Sequence, residues 1–211
     1  MADQTADPWI EKAYGATSQA ELDAVYRQWA DRYDADLVKT GYLHTPVIAG
    51  LVARYVTGRG AAILDAGVGT GSTGAVLSLL GYNNLYGLDM SEAMLAQAKA
   101  RGCYVDLVQG VLGEPLAYTD KSFDAVISTG TFTTGHAPPE AFDELLRVLE
   151  PDGILMFTVG TVVWEDNGFR SKLESLAKDL TLVESTPIYR PMPYSETESG
   201  FTARALVYRR T

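Results

Sequence analysis

The sequence predicts an α/β fold in which a largely parallel sheet lies between two layers of helices. Three observations predict this fold. Short apolar runs alternate with segments of helical periodicity along residues 61–180, which is typical of parallel strands joined by crossover helices. One run, residues 63–71, ends in an aspartate and three closely spaced glycines, as strand-to-helix turns do. The last two apolar runs have no helix between them, so we expect those strands to pair antiparallel.

The first sixty residues predict a helical cap on the same domain. Ser18 and Glu21 form a capping-box pattern, and apolar and aromatic residues then recur at helical spacing as far as Gly41. We expect one amphipathic helix of about 20 residues here, followed by a second helix with Pro46 near its start. The aromatic stripe is larger than a solvated helix needs, so we expect residues 1–60 to act as a lid.

Residues 61–211 predict the sheet and its connecting helices, which make one domain with the cap, 1–211. The expected strands are 61–65, 84–89, 104–108, 123–128, 154–159, 181–188 and 201–209. The expected helices are 72–80, 92–101, 139–149 and 169–180.

Composition and charge limit the classes of partner. The 211 residues carry a formal net charge of −10, which repels polyanions, so we expect no nucleic acid and no anionic membrane as partner. No apolar run approaches the roughly 18 residues of a membrane span, and residues 1–7 lack signal-peptide features, so we expect a cytoplasmic protein. Cys103 is the single cysteine, so a disulfide within the chain is excluded, and we expect no metal. The sequence does not indicate an oligomeric state.

Residues 65–71, Asp-Ala-Gly-Val-Gly-Thr-Gly, are the strongest indication of a ligand. The glycines permit a sharp turn and close approach of a ligand to the backbone, and the next helix begins with unpaired N–H groups. Residues 69–74 also match the G-x-G-x-x-G dinucleotide pattern, which indicates a nicotinamide-dependent oxidoreductase as one alternative. A glycine turn that binds no ligand is the other alternative.

Asp89 ends the second expected strand, about 20 residues after the glycines, where an acidic residue often meets a ribose. A carboxylate can accept hydrogen bonds from both vicinal hydroxyls of the sugar. Its alternative role is to cap the helix that follows, because Ser91 and Glu92 come next, and the two roles can coexist.

Asp65-x-Gly-x-Gly-Thr-Gly71 resembles the cofactor loop of class I S-adenosylmethionine (SAM)-dependent methyltransferases. Residues 123–130 resemble the fourth strand of that family, and residues 144–153 its following helix and turn, with Asp152 in place of a glycine. Residues 26–42 and 128–138 resemble one branch, which includes the methyltransferase-like protein of the Williams–Beuren syndrome region and its bacterial relatives. The resemblance covers nearly the whole chain and does not give the methyl acceptor.

The resemblance implies a three-layer Rossmann-like sandwich with a seven-stranded, mostly parallel sheet of order 3-2-1-4-5-7-6. It implies SAM as cofactor, S-adenosylhomocysteine (SAH) as product, and transfer of the methyl group to a small-molecule acceptor. The cofactor-binding residues that it implies are Tyr33, Tyr42, Asp65, Ala66, Gly67, Gly69, Thr70, Gly71, Asp89, Met90, Val111, Leu112 and Thr129. Many relatives carry an acidic residue after the third strand that is missing here, so we expect backbone groups of Val111 and Leu112, or else Gln109, to contact the adenine.

Tyr33 and His136 are the candidate catalytic residues. The resemblance implies that Tyr33 closes over the cofactor, and packing in the core is its alternative role. His136 follows the fourth strand, where a neutral imidazole can take a proton from an oxygen or nitrogen nucleophile, and ordering its own turn is the alternative. Trp164 either forms the floor of a substrate pocket or packs in the core, and His44 is expected to be structural.

A SAM-binding regulatory protein without turnover is the alternative to a methyltransferase, with the oxidoreductase less favoured. A nucleic-acid methyltransferase ranks below both, because the chain is acidic and lacks an Asn/Asp-Pro-Pro-Tyr stretch.

Overall fold

A computed structural model describes residues 7–211, so most of the N-terminal stretch used above to argue against a signal peptide lies outside the described residues. The helices are α1 (Asp7–Tyr14), α2 (Gln19–Trp29), α3 (Tyr33–Thr40), α4 (His44–Tyr55), α5 (Ser72–Leu79), α6 (Glu92–Ala100), α7 (Ala141–Val148), α8 (Thr161–Asp166) and α9 (Phe169–Ser175). The strands are β1 (Ile63–Ala66), β2 (Leu85–Asp89), β3 (Tyr104–Gln109), β4 (Phe123–Phe132), β5 (Leu149–Gly160), β6 (Leu180–Ser185) and β7 (Ala203–Arg210).

The seven strands form one sheet of order β3-β2-β1-β4-β5-β7-β6, which confirms the order expected from the resemblance. Strands β1 to β5 run parallel, and β7 pairs antiparallel with both β5 and β6. The chain order reverses between β1 and β4, and open α/β sheets bind ligands beyond the carboxyl ends of the strands at such a point.

Alternate residues of the strands enter two apolar layers, one on each face of the sheet. On β1, Ile63 packs with Ile48 and Leu77 of α4 and α5, whereas Leu64 packs with the layer that contains Phe142 and Leu145 of α7. Both β1 side chains are fully buried, as expected of a strand covered by helices on both faces. The three-layer prediction is therefore confirmed.

The expectation of one long helix after Ser18 is wrong, because α2 ends at Trp29 and α3 begins at Tyr33. The N–H of Arg32 bonds to the carbonyl of Trp29 at 2.9 Å, three residues back instead of four, which tightens the chain between the helices. The indole N–H of Trp29 donates to the buried carboxylate of Asp36 at 3.0 Å. The capping box is present, since Ser18 Oγ accepts the Glu21 N–H at 3.2 Å.

Two short helices, α1 and α8, were not predicted. They span eight and six residues, and α8 follows β5 directly. Pro8 lies in the first turn of α1, where proline is tolerated, and is a local signal that could have indicated the start of a helix.

The cap is joined to the glycine loop by a group of polar contacts that we call the latch, formed by Asp34, Thr70 and Arg101. The Asp34 carboxylate on α3 accepts the Thr70 hydroxyl at 2.5 Å and pairs with the Arg101 guanidinium. The Nε of Arg101 also donates to the Thr70 carbonyl at 2.6 Å. The latch connects α3 with the end of the turn that precedes α5. None of the described helices is long and apolar enough to cross a membrane.

Candidate functional site

A cleft, which we call the main cleft, opens at the edge of the sheet where β1, β2 and β4 end beside one another. Its empty space, counted out to the solvent at its mouth, is about 730 Å³. The main cleft is lined by Gln19, Leu22, Tyr26, Tyr33, Gly67, Gly69, Leu88, Asp89, Met90, Met94, Gly110, Val111, Leu112, Thr129, Gly130, Thr131, Gly135, His136 and Ala137.

Gly67 and Gly69 of the loop have positive φ angles of +79° and +54°, which residues other than glycine rarely adopt. A Cβ at Gly67 would lie 2.5 Å from the hydroxyl oxygen of Thr131, so protein packing alone excludes a side chain there. A Cβ at Gly69 would meet nothing within 4 Å. Gly69 therefore offers bare backbone to open space on the cleft side, where a ligand can approach closely.

Gly74 has a packing role, although it completes the dinucleotide pattern. A Cβ at Gly74 would lie 2.2 Å from the hydroxyl of Tyr104, which accepts the Gly74 N–H at 3.1 Å. The same hydroxyl donates to Asp65 Oδ2 at 2.8 Å. The third glycine of the pattern is thus required by Tyr104, and it gives no separate indication of a pyrophosphate.

Asp65 lies beneath the loop and does not line the main cleft. Burial raises the pKa of its carboxyl to about 7, the hydrogen bond from Tyr104 acts against that rise, and the charge of Asp89 adds to it. Its Oδ1 atom has no hydrogen-bond partner in the part of the chain that the structure describes. Asp65 therefore carries a proton much of the time near neutral pH and holds β1 against Tyr104.

Asp89 faces the main cleft and also supports the backbone on both sides. Its Oδ2 accepts the Gly69 N–H at 2.8 Å and its Oδ1 accepts the Ser91 N–H at 2.9 Å. Ser91 occupies the N-cap position of α6, but its own side chain makes no capping hydrogen bond. The Asp89 carboxylate therefore accepts the backbone N–H at the start of this helix. Each carboxylate oxygen retains capacity for another hydrogen bond, so the capping and ligand-binding roles can coexist. Burial raises the pKa of this carboxyl.

Thr129 presents a buried hydroxyl in the carboxyl-terminal half of β4, and it lines the main cleft. Its Oγ1 has no hydrogen-bond partner among the described residues. Leaving such a group unpaired costs about 1–3 kcal/mol, which a polar ligand group can recover.

Met90, Val111 and Leu112 give the main cleft an apolar wall near the ends of β2 and β3. Gln109 was another candidate for contact with an adenine. Its side-chain amide instead donates to the Met90 carbonyl at 2.9 Å, and Gln109 does not line the main cleft. Of the expected adenine contacts, the structure therefore places Val111 and Leu112 at the cleft.

Most of the residues predicted from the sequence come together here: the main cleft includes Tyr33, Gly67, Gly69, Asp89, Met90, Val111, Leu112, Thr129 and His136. Five others lie outside its lining, namely Tyr42, Asp65, Ala66, Thr70 and Gly71, and their role in ligand binding stays a prediction. Sequence reasoning missed Gln19, Leu22, Tyr26 and Met94. Tyr26 belongs to the aromatic stripe of the cap, which was the available signal.

A second cavity, which we call the aromatic chamber, adjoins the main cleft beneath the cap. Its empty space, again counted out to solvent, is about 500 Å³. The aromatic chamber is lined by Ile10, Ala13, Tyr14, Tyr26, Trp29, Tyr33, Leu37, Tyr42, His44, Gly130, Phe132, Thr133, His136, Thr158, Gly160, Met192 and Phe201. Tyr26, Tyr33, Gly130 and His136 line both cavities.

Trp164 lines neither cavity. It is buried in the apolar layer that contains Phe142, and its ring lies 4.7 Å from the guanidinium of Arg204. Of the two roles expected for Trp164, packing in the core is therefore confirmed. His44 lies in the chamber wall, where its Nδ1 is 2.7 Å from the Tyr189 hydroxyl and burial lowers its pKa to about 3.

Tyr26 and His136 form a hydrogen-bonded pair where the two cavities meet. The Tyr26 hydroxyl lies 2.6 Å from His136 Nε2, and His136 Nδ1 lies 2.8 Å from the Thr134 carbonyl. Because a carbonyl can only accept, we assign the proton to Nδ1, which leaves Nε2 to accept from Tyr26. Burial lowers the pKa of His136 and raises that of Tyr26, so both are neutral near pH 7. His136 thus both orders its turn and presents a neutral imidazole to the site.

Comparison with known proteins gives a consistent result. A model of a methyltransferase domain matches residues 64–157. The chain is 34% identical over 155 residues to human methyltransferase-like protein 27, covering 72% of this chain and 63% of that protein. It is 33% identical over 132 residues to a demethylmenaquinone methyltransferase of Clavibacter sepedonicus, covering 60% and 54%. The chain therefore spans less than two thirds of the length of these two relatives.

A TehB-like SAM-dependent methyltransferase of Corynebacterium glutamicum, known from a crystal structure, has the same fold. Its TM-score with this chain is 0.65 at 24% identity, over 89% of this chain and 99% of that one.

The sheet order, the glycine loop and the matches agree with one another. The matched methyltransferase domain and the fold are similar to those of class I SAM-dependent methyltransferases, and SAM is the cofactor that these similarities indicate. The match to human methyltransferase-like protein 27 confirms the predicted resemblance to the Williams–Beuren branch. This assignment decides against the nicotinamide interpretation of residues 69–74. The open face of Gly69, the Asp89 carboxylate and the unpaired Thr129 hydroxyl fit a cofactor that carries a ribose and polar ends.

Proposed function

We propose that the protein transfers a methyl group from SAM to a small-molecule acceptor. The observation that carries the proposal is the unpaired, buried Thr129 hydroxyl, which shares the main cleft with the open backbone of Gly69 and the carboxylate of Asp89. These groups come from three neighbouring strand ends, and protein packing leaves the space between them free. They match a ligand that is polar at one end and carries vicinal hydroxyls.

The cofactor supplies an activated methyl group on a sulfonium, so the chain itself needs to bind, align and exclude water. Asp89 is suited to hold the ribose hydroxyls, and Met90 and Leu112 to enclose the adenine. Thr129 and the hydroxyl of Tyr33 face the remaining space, and Tyr33 makes no hydrogen bond within the described chain. The cap residues Leu22 and Tyr26 cover the cleft and limit the access of water.

Two observations support a small methyl acceptor: the net charge of the chain and the substrate named for one relative. The net charge of −10 disfavours nucleic acid, and the name of the Clavibacter relative specifies a demethylmenaquinone, a small molecule, as its substrate. We extend to this chain the class of small acceptor and not that particular quinone. A cytoplasmic location stays a prediction.

Thermal denaturation in the presence of SAM, SAH or NADH tests which of these ligands binds the folded protein. SAM and SAH should raise the melting temperature and NADH should not, because only a ligand of the folded state stabilises it. Incubation of the protein with cell metabolites and isotope-labelled SAM then tests turnover, with mass spectrometry to detect compounds that gain one labelled methyl group. Stabilisation by SAH without any methylated product would identify a SAM-binding regulatory protein and overturn the proposed activity.

A further inference from the structure

The aromatic chamber has a lining whose chemistry is specific. Of the described residues that line it, none is Asp, Glu, Lys or Arg. Its two histidines, His44 and His136, have pKa values lowered by burial, so they are uncharged near neutral pH. A charged ligand would lose its hydration there without gaining an opposite charge.

Aromatic side chains dominate the walls. Tyr14, Tyr26, Trp29, Tyr33 and Tyr42 all border the space, and the rings of Trp29 and Tyr33 are 4.6 Å apart in an edge-to-face arrangement. Flat aromatic molecules gain both burial and ring-to-ring contact in such a place.

The polar groups that remain available are hydroxyls and an imidazole. The hydroxyls of Tyr33 and Tyr42 make no hydrogen bond within the described chain. The hydroxyl of Tyr26 already donates to His136 Nε2, so its oxygen can accept a hydrogen bond from a ligand O–H. This acceptor oxygen lies where the aromatic chamber meets the main cleft.

We propose that the aromatic chamber is the acceptor site and that it takes an uncharged, flat aromatic molecule whose hydroxyl donates to Tyr26. This inference rests on the proposed function, since it assigns the class of acceptor to that same site. In the transfer the acceptor oxygen bonds to the methyl carbon as the carbon–sulfur bond breaks, with that bond's electron pair left on sulfur. The acceptor's hydroxyl proton passes to Tyr26 as Tyr26 passes its own proton to His136 Nε2. His136, which is partly exposed, then releases a proton to solvent.

Titration calorimetry with three probes of one shape tests the inference on the wild-type protein saturated with SAH. The probes are 2-naphthol, its anionic analogue 2-naphthoate, and 2-methoxynaphthalene, which has no O–H. We expect 2-naphthol to bind at least about tenfold more tightly than 2-naphthoate at neutral pH, because the chamber offers no cation. We expect 2-methoxynaphthalene to bind several-fold more weakly than 2-naphthol, and that difference should disappear in Tyr26→Phe.

Substitutions that fill the aromatic chamber test whether 2-naphthol binds there. Ala13→Phe and Met192→Trp, from two different segments of the wall, should each weaken 2-naphthol binding at least about tenfold while the affinity for SAH changes less than about twofold. Ala24→Phe, on the exposed face of α2, is the matched control and should change neither affinity. Circular dichroism checks that each variant folds. Because there are two filling variants, the test can still be made if one of them does not fold.

The outcomes separate this inference from the proposed function. If SAH does not bind the wild-type protein, the proposed function fails. If SAH binds but 2-naphthol does not, or if 2-naphthol and 2-naphthoate bind equally, the assignment of the chamber is wrong and the proposed function stands. Unchanged 2-naphthol binding in both filling variants would likewise overturn it.

Discussion

The hydroxyl of Tyr26 on α2 lies 2.6 Å from Nε2 of His136, in the loop after β4, although the two residues are 110 positions apart. The contact joins the cap to the carboxyl edge of the sheet at the point where the main cleft meets the aromatic chamber. His136 was predicted as a proton acceptor, and the structure adds that the atom able to accept is already bonded to Tyr26. A proton from an acceptor molecule therefore reaches His136 through Tyr26.

Nuclear magnetic resonance of the imidazole nitrogens checks this arrangement, because His44 and His136 are the two histidines of the chain. We expect His136 to be neutral at pH 7 with its proton on Nδ1, and to titrate below its ordinary pKa of about 6.5. Tyr26→Phe removes a hydrogen bond that favours the neutral imidazole, so the pKa of His136 should rise while that of His44 stays unchanged. A proton on Nε2, or a pKa of His136 that does not move, would contradict the proton path.

The same two pKa shifts predict how stability depends on pH. The unfolded chain takes up protons on both histidines near pH 6.5, whereas the folded chain does so only at lower pH, with His44 near 3. Their contribution to the free energy of unfolding is therefore present above about pH 6.5 and is lost as the pH falls below it.

Asp89→Ala should weaken SAH binding at least about tenfold in titration calorimetry. The substitution removes hydrogen bonds to a charged acceptor, each worth about 1.5–3 kcal/mol. Asp106→Ala, an exposed acid on β3, is the control and should leave the affinity unchanged. A folded Asp89→Ala variant with wild-type affinity would remove Asp89 from the cofactor site.

Gly69→Ala separates a ligand contact from backbone strain. Gly69 and Gly102 both have positive φ, +54° and +66°, and a Cβ at either would meet nothing within 4 Å. Alanine at either position should cost a similar amount of stability, about 1–2 kcal/mol, which chemical denaturation measures. Calorimetry should show a loss of SAH affinity in Gly69→Ala alone, since the space at Gly69 belongs to the main cleft and that at Gly102 does not. Equal SAH affinities in the two variants would place the cofactor elsewhere.

Asp65→Asn should stabilise the protein at alkaline pH. Burial raises the pKa of Asp65 to about 7, so the folded state holds a proton that the unfolded state releases near pH 4. As the pH rises from about 4 to 7, this group lowers the free energy of unfolding, and above pH 7 the full penalty is present. Asparagine avoids that penalty and can still accept from Tyr104. We expect a higher melting temperature than wild type near pH 8.5 and little difference near pH 5. A lower melting temperature at both pH values would show that the charged carboxylate is stabilising.

The sheet could be predicted from the sequence because its signals are local. The apolar run that ends at Asp65 and the glycines that follow specify a strand, a turn and a helix without reference to the rest of the chain. The break between α2 and α3 could not be predicted, because it involves a hydrogen bond three residues back at Arg32 within an uninterrupted helical pattern. Tyr26 was recognised as part of the aromatic stripe, but its contact with His136 depends on how the cap docks, which no spacing within the sequence encodes.

The sequence also predicts that the cap is a lid, and hydrogen exchange tests that prediction. The latch is partly exposed, with Asp34 and Arg101 retaining 47% and 27% of their side-chain surface, so its ion pair contributes little to holding the cap closed. We therefore expect amides from about Glu21 to Tyr42 to exchange quickly without ligand and to slow markedly with SAH, because a bound cofactor gives α2 and α3 a further surface to pack on.

Asp34→Ala removes both contacts of α3 with the latch, the pair with Arg101 and the hydrogen bond from the Thr70 hydroxyl, and so makes this test more sensitive. The variant should speed exchange of the cap amides in the ligand-free protein and have a smaller effect with SAH bound. Amides of α7 (Ala141–Val148), which pack on the sheet away from the cap, serve as the internal reference and should not respond to either change. Strong and equal protection of the cap with and without SAH would show a static cap, and Tyr33 would then be a core residue that borders the cleft without closing it.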